Sequence, residues 1–193
     1  TSGEITLNNK EINNLEPHEI NRKGLARSFQ VTNIFPKMSV YENIRCGILW
    51  SMGFKYSIFR LVNGDKEFNK KTNSLLEEIN LKHCAHIPAG LLSYADQRAL
   101  EIGITIAGGA ETLMLDEPTA GMSNSETERA VNLIKQISEK RTLVVVEHDM
   151  GVVFDLADRI SVLVYGEIIA TDTPKKIREN KAVQEAYLGT EDH

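Results

Sequence analysis

Two acidic residues end an apolar run in the second half of the chain. Residues 112–118 read Thr-Leu-Met-Leu-Asp-Glu-Pro, which predicts a short buried strand that stops at Asp116 and Glu117. A carboxylate at the end of such a strand can hold a magnesium ion that bridges nucleotide phosphates, and this role suits Asp116. Glu117 points to the opposite side, where it can orient or deprotonate an attacking water. The alternative is a strand that ends in a solvated acidic turn.

A histidine follows a second apolar run one element later. Three valines at 144–146 lead into Glu147 and His148. If the two strands are adjacent and parallel, His148 lies near Glu117, where an imidazole can contact a terminal phosphate and hold the water. A surface histidine at a strand end is the competing interpretation. The order of His148 after the acidic pair favours the functional one.

Two further polar motifs precede the acidic pair. Ser93, in the run Leu-Ser-Tyr-Ala-Asp, can cap a helix whose free N–H groups and positive dipole end suit a phosphate. Gln30 follows a short strand pattern at 25–29, and its amide can reach a metal ion or a water. By local chemistry alone, an ordinary capped helix and a polar loop residue explain these two features.

Strand and helix patterns alternate around these motifs. Alternation of this kind predicts an α/β fold with a mostly parallel sheet, in which ligands bind at the carboxyl ends of the strands. The β-branched run at 142–146 predicts a strand covered on both faces. The remaining patterns predict hairpins at 3–12 and from Gly166, strands at 25–29, 112–115 and 160–164, helices at 17–23, 126–140 and 150–157, and two short helices after Pro174.

A helical insert is predicted from Phe35 to about Cys84. Val40, Ile44 and Ile48 recur at helical spacing, and the pattern resumes at Phe68 after a break at 64–65. Ser93 then begins a further helix with an apolar face that includes Leu100, Ile104 and Ala107. Few strand signals interrupt this stretch, so it reads as a helical block inserted between strands of the sheet.

Composition narrows the class of protein. The 193 residues are 41% hydrophobic and 25% charged, which suits one domain or one domain with a small insert. The net charge of -5, with no basic block, argues against a nucleic-acid partner. Cys46 and Cys84 lack metal-like spacing and are expected to be reduced thiols. No apolar run has the length of a membrane span, and no signal peptide is evident.

Taken in order, the four motifs resemble the ABC ATPase family. The resemblance runs from about Gly3 to Gly189 and implies a P-loop NTPase-like α/β fold with a helical subdomain insert. It implies a Q-loop at Gln30, Walker B acids at Asp116 and Glu117, and a switch histidine at His148. The signature sequence then comprises Leu92, Ser93, Tyr94, Ala95 and Asp96, and the D-loop comprises Ala120, Gly121, Met122 and Ser123.

Within that family the details resemble the ATP-binding subunits of branched-chain amino acid importers. The resemblance lies in short runs spread along the chain, namely Arg-Ser-Phe-Gln at 27–30, Met-Ser-Val-Tyr-Glu-Asn-Ile at 38–44, Leu-Ser-Tyr at 92–94, Asp-Glu-Pro-Thr-Ala-Gly-Met at 116–122, Val-Glu-His-Asp-Met at 146–150, Tyr-Gly-Glu-Ile-Ile-Ala at 165–170 and Glu-Ala-Tyr-Leu-Gly at 185–189.

The resemblance also implies how one ABC ATPase domain is laid out over residues 1–193. Residues 1–34 hold the end of the antiparallel strand region and the Q-loop. Residues 35–92 form the helical subdomain. Residues 93–172 carry the signature helix, Walker B, the D-loop and the switch histidine, and 173–193 form C-terminal helices.

The family's activity is coupling of ATP hydrolysis to transport. The resemblance implies ATP and Mg²⁺ as cofactors, with Asp116 and Gln30 at the metal, Glu117 and His148 in catalysis, and Ser93 to Asp96 with Gly121 at the nucleotide. Two ATPase subunits, identical or different, would sandwich two ATP molecules. The partners would be transmembrane permease subunits and, indirectly, a periplasmic binding protein, at the cytoplasmic face of the inner membrane. The surface from Gln30 to about Ile48 would receive the permease.

The sequence departs from the family pattern in two places. No Gly-x-x-x-x-Gly-Lys-Ser/Thr run occurs in the chain, and the family has this loop just upstream of the position of Thr1. We therefore expect a truncated sequence that lacks the N-terminal part of the core and binds ATP very weakly alone. In the signature, Ala95 replaces a glycine and its methyl would crowd the ligand, while Asp96 brings a carboxylate near phosphates.

Two other interpretations stay open. One keeps the ABC ATPase and changes the cargo to urea, short amides or exported lipopolysaccharide. The other is a regulatory or structural pseudo-ATPase that binds a partner without hydrolysis. The absent loop and Ala95 favour the pseudo-ATPase, whereas the intact Asp116, Glu117 and His148 oppose it.

Overall fold

A computed structural model describes residues 3–28, 33–51 and 65–188 of the chain. The chain divides into two compact units, Thr1–Val146 and Glu147–His193. Gln30, the end of the predicted strand at Phe29, and Gly189 lie outside the described residues. The prediction that Gln30 serves as a Q-loop ligand therefore has no structural counterpart here.

The first unit opens with a short antiparallel hairpin and a helix, as predicted. Strands β1 (Thr6–Leu7) and β2 (Lys10–Glu11) pair across a turn in which Asn8 and Asn9 adopt positive φ angles of 50° and 60°. Asparagine tolerates this left-handed region better than most residues. Helix α1 (Pro17–Arg22) begins with proline in its first turn. A capping box between Glu16 and Glu19 caps its N-terminus.

Three strands form a parallel sheet in the first unit. Strand β4 (Thr112–Asp116) lies in the middle, between β3 (Leu25–Arg27) and β5 (Thr142–Val146). Both pairings are parallel. Helix α5 (Asn124–Ser138) connects β4 to β5 and buries Val131, Leu133, Ile134 and Ile137. The sequence-based prediction of a parallel sheet with a crossover helix is confirmed.

The prediction that the strand at 142–146 is covered on both faces is wrong for this structure. The central strand β4 buries Leu113 and Leu115 almost completely, whereas exposure alternates along β5, with Val144 43% and Val146 58% exposed. One face of β5, with Thr142, Val144 and Val146, remains exposed among the residues that the structure describes, so this strand is not covered on both faces. Its β-branched residues reflect a preference for the extended backbone, which does not require cover on both faces.

The predicted helical insert is present in the described residues. It comprises α2 (Val40–Ser51) and α3 (Lys66–Glu78), then short 3-10 turns at Lys82–Cys84 and Ala89–Leu91, and it leads into α4 (Tyr94–Ala107). We call α2, α3, α4 and these turns the helical segment. Its core consists of fully or nearly fully buried apolar side chains, namely Val40, Ile44, Ile48, Phe68, Leu76, Ile79 and Leu100.

Two glycines allow the helices of this segment to approach closely. A Cβ atom added to Gly47 of α2 would stand 2.7 Å from the Cβ of Ala107 and 3.1 Å from the carbonyl oxygen of Ile104 in α4. A Cβ added to Gly103 would stand 2.6 Å from the Cδ1 of Ile79 and 2.9 Å from that of Ile44. The absence of side chains at these two positions therefore sets the distance between the helices.

The second unit is a hairpin with three helices. It contains α6 (Met150–Leu156), β6 (Ile160–Val164), β7 (Glu167–Asp172), α7 (Pro174–Glu179) and α8 (Lys181–Leu188). The strands pair antiparallel across a turn where Tyr165 and Gly166 have φ angles of 50° and 87°. Ile160, Ile177 and Val183 form its buried cluster. The predicted strand, hairpin and C-terminal helices are confirmed.

Neither cysteine forms a disulfide. Burial raises the pKa of both the Cys46 and the Cys84 thiol, so these groups stay protonated at neutral pH. Across the described residues, no helix is both long and apolar enough to cross a bilayer.

Candidate functional site

The predicted acidic pair lies at the carboxyl end of the central strand. Asp116 is the last residue of β4, and Glu117 follows in the left-handed region with a φ of 44°. A non-glycine residue held there costs on the order of 1–3 kcal/mol, and such residues cluster at functional sites. The Glu117 N–H donates to the Val146 carbonyl oxygen at 2.9 Å, and its own carbonyl oxygen accepts from the Ala120 N–H at 3.2 Å. The acidic turn is therefore fixed to the end of β5.

A cation on the neighbouring strand contacts the first carboxylate. Arg27 lies beside Met114 in the β3–β4 register, so its side chain shares a sheet face with Asp116 two residues further on. Its Nη2 donates to Asp116 Oδ2 at 2.9 Å. Arg27 is 65% exposed and Asp116 24%, so solvent screening limits the pair to about 1 kcal/mol or less.

Asp116 has the chemistry expected of a ligand to nucleotide-bound magnesium. Mg²⁺ typically takes one or two protein carboxylates and completes its shell with phosphates and water. The described part of the chain holds no group of three or more His, Cys, Asp or Glu side chains that could bind a metal ion. A carboxylate in the position of Asp116 can serve as one ligand of a metal ion that is bound together with a nucleotide.

The predicted helix cap at Ser93 is confirmed. The Ser93 Oγ accepts from the Asp96 N–H at 3.2 Å and donates to Asp96 Oδ2 at 2.7 Å. Tyr94 and Ala95 open the first turn of α4. The Asp96 carboxylate is thus bonded to the capping serine at the positive end of the helix, where a negative charge is favourable.

The loop after the acidic pair approaches the start of the same helix. Gly121 has a φ of 75°, and a Cβ added there would lie 4.0 Å from Cε1 of the Tyr94 ring. Thr119 is buried in the same loop, and its carbonyl oxygen accepts from the Met122 N–H at 3.3 Å. The structure therefore brings Tyr94 and Gly121 together, although they are 27 positions apart in the sequence.

A buried ion pair on α4 was not foreseen from the sequence. Arg98 Nη1 donates to Glu101 Oε2 at 2.7 Å, with both side chains 5% exposed. Arg98 Nη2 also lies 3.5 Å from the Glu117 carbonyl oxygen. The visible signal is an Arg and a Glu three residues apart, a spacing that makes them neighbours on a helix, although both lie away from the face predicted to be apolar.

His148 belongs to the second unit, so its predicted nearness to Glu117 stays a prediction. The strand that leads to it, β5, is the direct parallel neighbour of β4, as the prediction requires. The His148 side chain is 74% exposed, and its backbone N–H donates to Glu147 Oε2 at 3.2 Å. Asp149 then caps α6 by accepting from the N–H groups of Gly151 and Val152.

Comparison with known proteins decides the family. The family model described as "ABC transporter" matches residues 1–120. The high-affinity branched-chain amino acid transport ATP-binding protein BraF of Pseudomonas aeruginosa is 37% identical over 98% of this chain and 77% of its own length. This chain belongs to the ABC transporter family. A second model, "Branched-chain amino acid ATP-binding cassette transporter", matches residues 167–193 of this ABC ATPase.

Other relatives and solved structures agree with this family. The branched-chain amino acid transport ATP-binding protein LivG of Escherichia coli is 36% identical over 98% of this chain and 77% of its own length. The ADP conformation of MJ1267, an ATP-binding cassette of an ABC transporter, superposes with a TM-score of 0.80 at 28% identity, covering 97% of this chain and 77% of that one. The predicted α/β fold of the P-loop NTPase type is therefore confirmed.

Proposed function

We propose that this ABC ATPase hydrolyses ATP to drive the import of branched-chain amino acids. The cargo is supported by BraF and LivG, and by the branched-chain family model at residues 167–193. Hydrolysis is supported above all by one observation, the Asp116–Glu117 pair at the carboxyl end of β4, with Glu117 held in a left-handed turn. Costly backbone geometry beside two carboxylates is typical of a reacting centre.

Each carboxylate takes a separate role in this proposal. Asp116, with Gln30, holds Mg²⁺, which neutralises phosphate charge when it is bound with ATP. Glu117 polarises or deprotonates the attacking water, and its backbone is held by the bond that its N–H donates to Val146 and the bond that its carbonyl accepts from Ala120. His148 contacts the γ-phosphate and holds the water in place.

The start of α4 closes the nucleotide site of a second ATPase subunit. Its free N–H groups near Ser93, Tyr94 and Ala95 suit the partner's γ-phosphate. Ala95 lies in the first helical turn, so it keeps the N–H that the family's glycine supplies. Asp96 is bonded to Ser93, which limits its approach to that phosphate. Gly121 lies beside Tyr94 and faces the same partner subunit in this proposal.

The permease docks on an apolar surface that residues 34–39, just before α2, form with residues 87–91. A β-bridge between Ser39 and Pro88 joins the two segments. The Ala89 N–H donates to the carbonyl oxygen of residue 38, and the Gly90 N–H donates to that of residue 36. Phe35 is 53% exposed on this surface and Leu91 77%. Apolar side chains of this size suit a coupling element of a transmembrane subunit at the cytoplasmic face of the membrane.

The decisive experiment is turnover by the Glu117→Gln variant of the full-length gene product with its permease. We expect hydrolysis to fall by roughly 10²- to 10⁴-fold, because the amide cannot act as a base, while ATP binding persists. Glu111→Gln is the matched control, since Glu111 is exposed at the opposite end of the β4 segment. Hydrolysis that survives Glu117→Gln would refute the role of Glu117.

A pseudo-ATPase is the second candidate, because Ala95 stands where the family's signature has a glycine. ATP titration of these 193 residues tests a separate expectation, since they include no Gly-x-x-x-x-Gly-Lys-Ser/Thr run. Without the loop's backbone N–H groups and lysine, we expect no binding at micromolar ATP. Micromolar affinity for ATP would show that other residues of these 193 bind the phosphates. A full-length protein that binds ATP but never hydrolyses it would favour the pseudo-ATPase.

The cargo is tested separately with the reconstituted transporter. ATP turnover should rise with leucine, isoleucine or valine and its binding protein, and should not respond to ribose or urea. Stimulation by urea or short amides alone would assign the other importer class.

The docking surface is tested with a double variant. Phe35→Asp combined with Leu91→Asp should reduce recovery of the ATPase with its permease, while ATP binding is retained.

A further inference from the structure

The buried pair Arg98–Glu101 occupies an unusual position for charged side chains. Both residues are 5% exposed in the middle of α4, and their closest atoms are 2.7 Å apart. Replacing such a pair with apolar side chains of similar volume is often neutral or even stabilising. Stability alone is therefore a weak reason for two charges at these positions.

The guanidinium of Arg98 reaches beyond its ion pair to the acidic turn. One terminal nitrogen donates to Glu101, and the other lies 3.5 Å from the backbone carbonyl oxygen of Glu117. Arginine can make both contacts at once because its planar fork presents several donors in fixed directions. Lysine carries a single nitrogen and cannot span both acceptors in the same way.

Two further hydrogen bonds of the Glu117 backbone join it to its own sheet and loop. Its N–H is bonded to Val146 of β5, and its carbonyl oxygen accepts from Ala120 three residues later. Arg98 supplies a contact from a different element, the helix that begins at Ser93. The left-handed backbone of Glu117 is therefore tied to the helix that carries the signature residues.

We infer that Arg98 is a positioning residue for Glu117, and that Glu101 orients the Arg98 guanidinium for this task. By holding the carbonyl of Glu117, Arg98 fixes the direction in which the Glu117 carboxylate leaves the backbone. A shift of the α4 start against the acidic turn is then transmitted directly to that carboxylate. This inference rests on the proposed role of Glu117 in activating water.

The test separates positioning from stability with a paired replacement. In the full-length gene product, Arg98→Met combined with Glu101→Leu removes both charges and keeps the volume. We expect the thermal midpoint to stay near that of the wild type. We expect kcat to fall roughly tenfold to hundredfold, because a misplaced group reacts less often, with the KM for ATP within about twofold.

Hydrogen exchange supplies a readout independent of turnover. The Ala120 N–H is bonded to the same Glu117 carbonyl that Arg98 contacts, so its exchange should quicken in the paired variant. Arg98→Lys keeps a positive charge beside Glu101 but lacks the two terminal nitrogens of the guanidinium, so its kcat should be lower than that of the wild type. Ile106→Val is the control, because it alters a buried apolar residue of α4 without touching the pair.

The outcomes separate this inference from the proposed function. Unchanged kcat and unchanged Ala120 exchange in the paired variant would overturn the positioning role. If that variant does not fold, wild-type kcat and exchange in Arg98→Lys would overturn it instead. Absence of hydrolysis by the wild type would refute the proposed function, and Ala120 exchange would then still decide whether Arg98 holds the turn.

Discussion

The helices of the helical segment and the outer strand β5 of the parallel sheet differ in how completely they bury their apolar residues. Ile44, Phe68 and Leu100 of the helical segment are fully buried. On β5 of the sheet, Val144 and Val146 remain about half exposed. Helical periodicity specifies which face is buried, because the apolar positions form one stripe. A run of valines indicates a strand without indicating how many of its faces are covered.

The largest expected effect comes from truncating one side chain in each region. Phe68→Ala should lower the free energy of unfolding by about 3–5 kcal/mol, because it removes a fully buried ring and leaves a cavity. The Arg45 guanidinium, 4.9 Å from the centre of that ring, would lose this contact as well. Val144→Ala should cost less than about 1 kcal/mol, since that side chain is 43% exposed. Urea unfolding of the two variants measures the difference, and equal losses would contradict it.

A smaller effect tests how rigid the helical segment is. Gly47→Ala should destabilise the protein by about 1–3 kcal/mol, because its new methyl group meets the Cβ and backbone of α4. Gly103→Ala should cost less, since the nearest atoms are the ends of two isoleucine side chains that can rotate. Helix propensity favours alanine by roughly 0.5–1 kcal/mol at both sites and offsets part of each loss. Thermal unfolding gives the order, and a larger loss at Gly103 would contradict the packing described.

The smallest effect concerns the cap of the helix that joins the two sheet strands β4 and β5. The Ser123 hydroxyl and then its backbone N–H donate to Glu126, which lowers the pKa of that carboxyl. A depressed folded-state pKa adds stability above the unfolded-state pKa, and this contribution is lost as pH falls through the folded-state value. Ser123→Ala should therefore raise the pKa of Glu126 toward its ordinary value in an NMR titration.

Glu42 provides the internal control for that titration. Its pKa is lowered by backbone and side-chain bonds from Ser39, in the helical segment. Ser123→Ala should leave the Glu42 titration unchanged. A shift at both carboxyls would point to a general change in the fold and not to a lost cap.

The elements that sequence predicted well are those with local signals. The cap at Ser93 and the hairpin turn at Gly166 follow from side chains a few residues away. Helix α5 begins at Asn124, two residues before the predicted start at Glu126, and the Ser-x-x-Glu pattern of its capping box is visible in the sequence. Local sequence signals therefore predict most of the helices, strands and turns.

The contacts that sequence missed join distant segments. Arg27 reaches Asp116 only because β3 and β4 pair in one register, and Arg98 reaches Glu117 only because α4 packs near the acidic turn. The left-handed backbone of Glu117 depends on the same surroundings. Residue types suggested the chemistry of Asp116 and Glu117, but no spacing rule gave the side chains that hold them.

The pairing of β3 with β4 also has a kinetic consequence. Arg27 and Asp116 are 89 residues apart in sequence, so the chain must close a long loop before these strands gain their first hydrogen bonds. Such non-local pairing slows folding, whereas local helices form quickly. Helices α2, α3 and α4 lie inside that loop, and their prior formation shortens the effective distance between its ends. Early formation of the helical segment is therefore expected to lower the entropic cost of bringing β3 to β4.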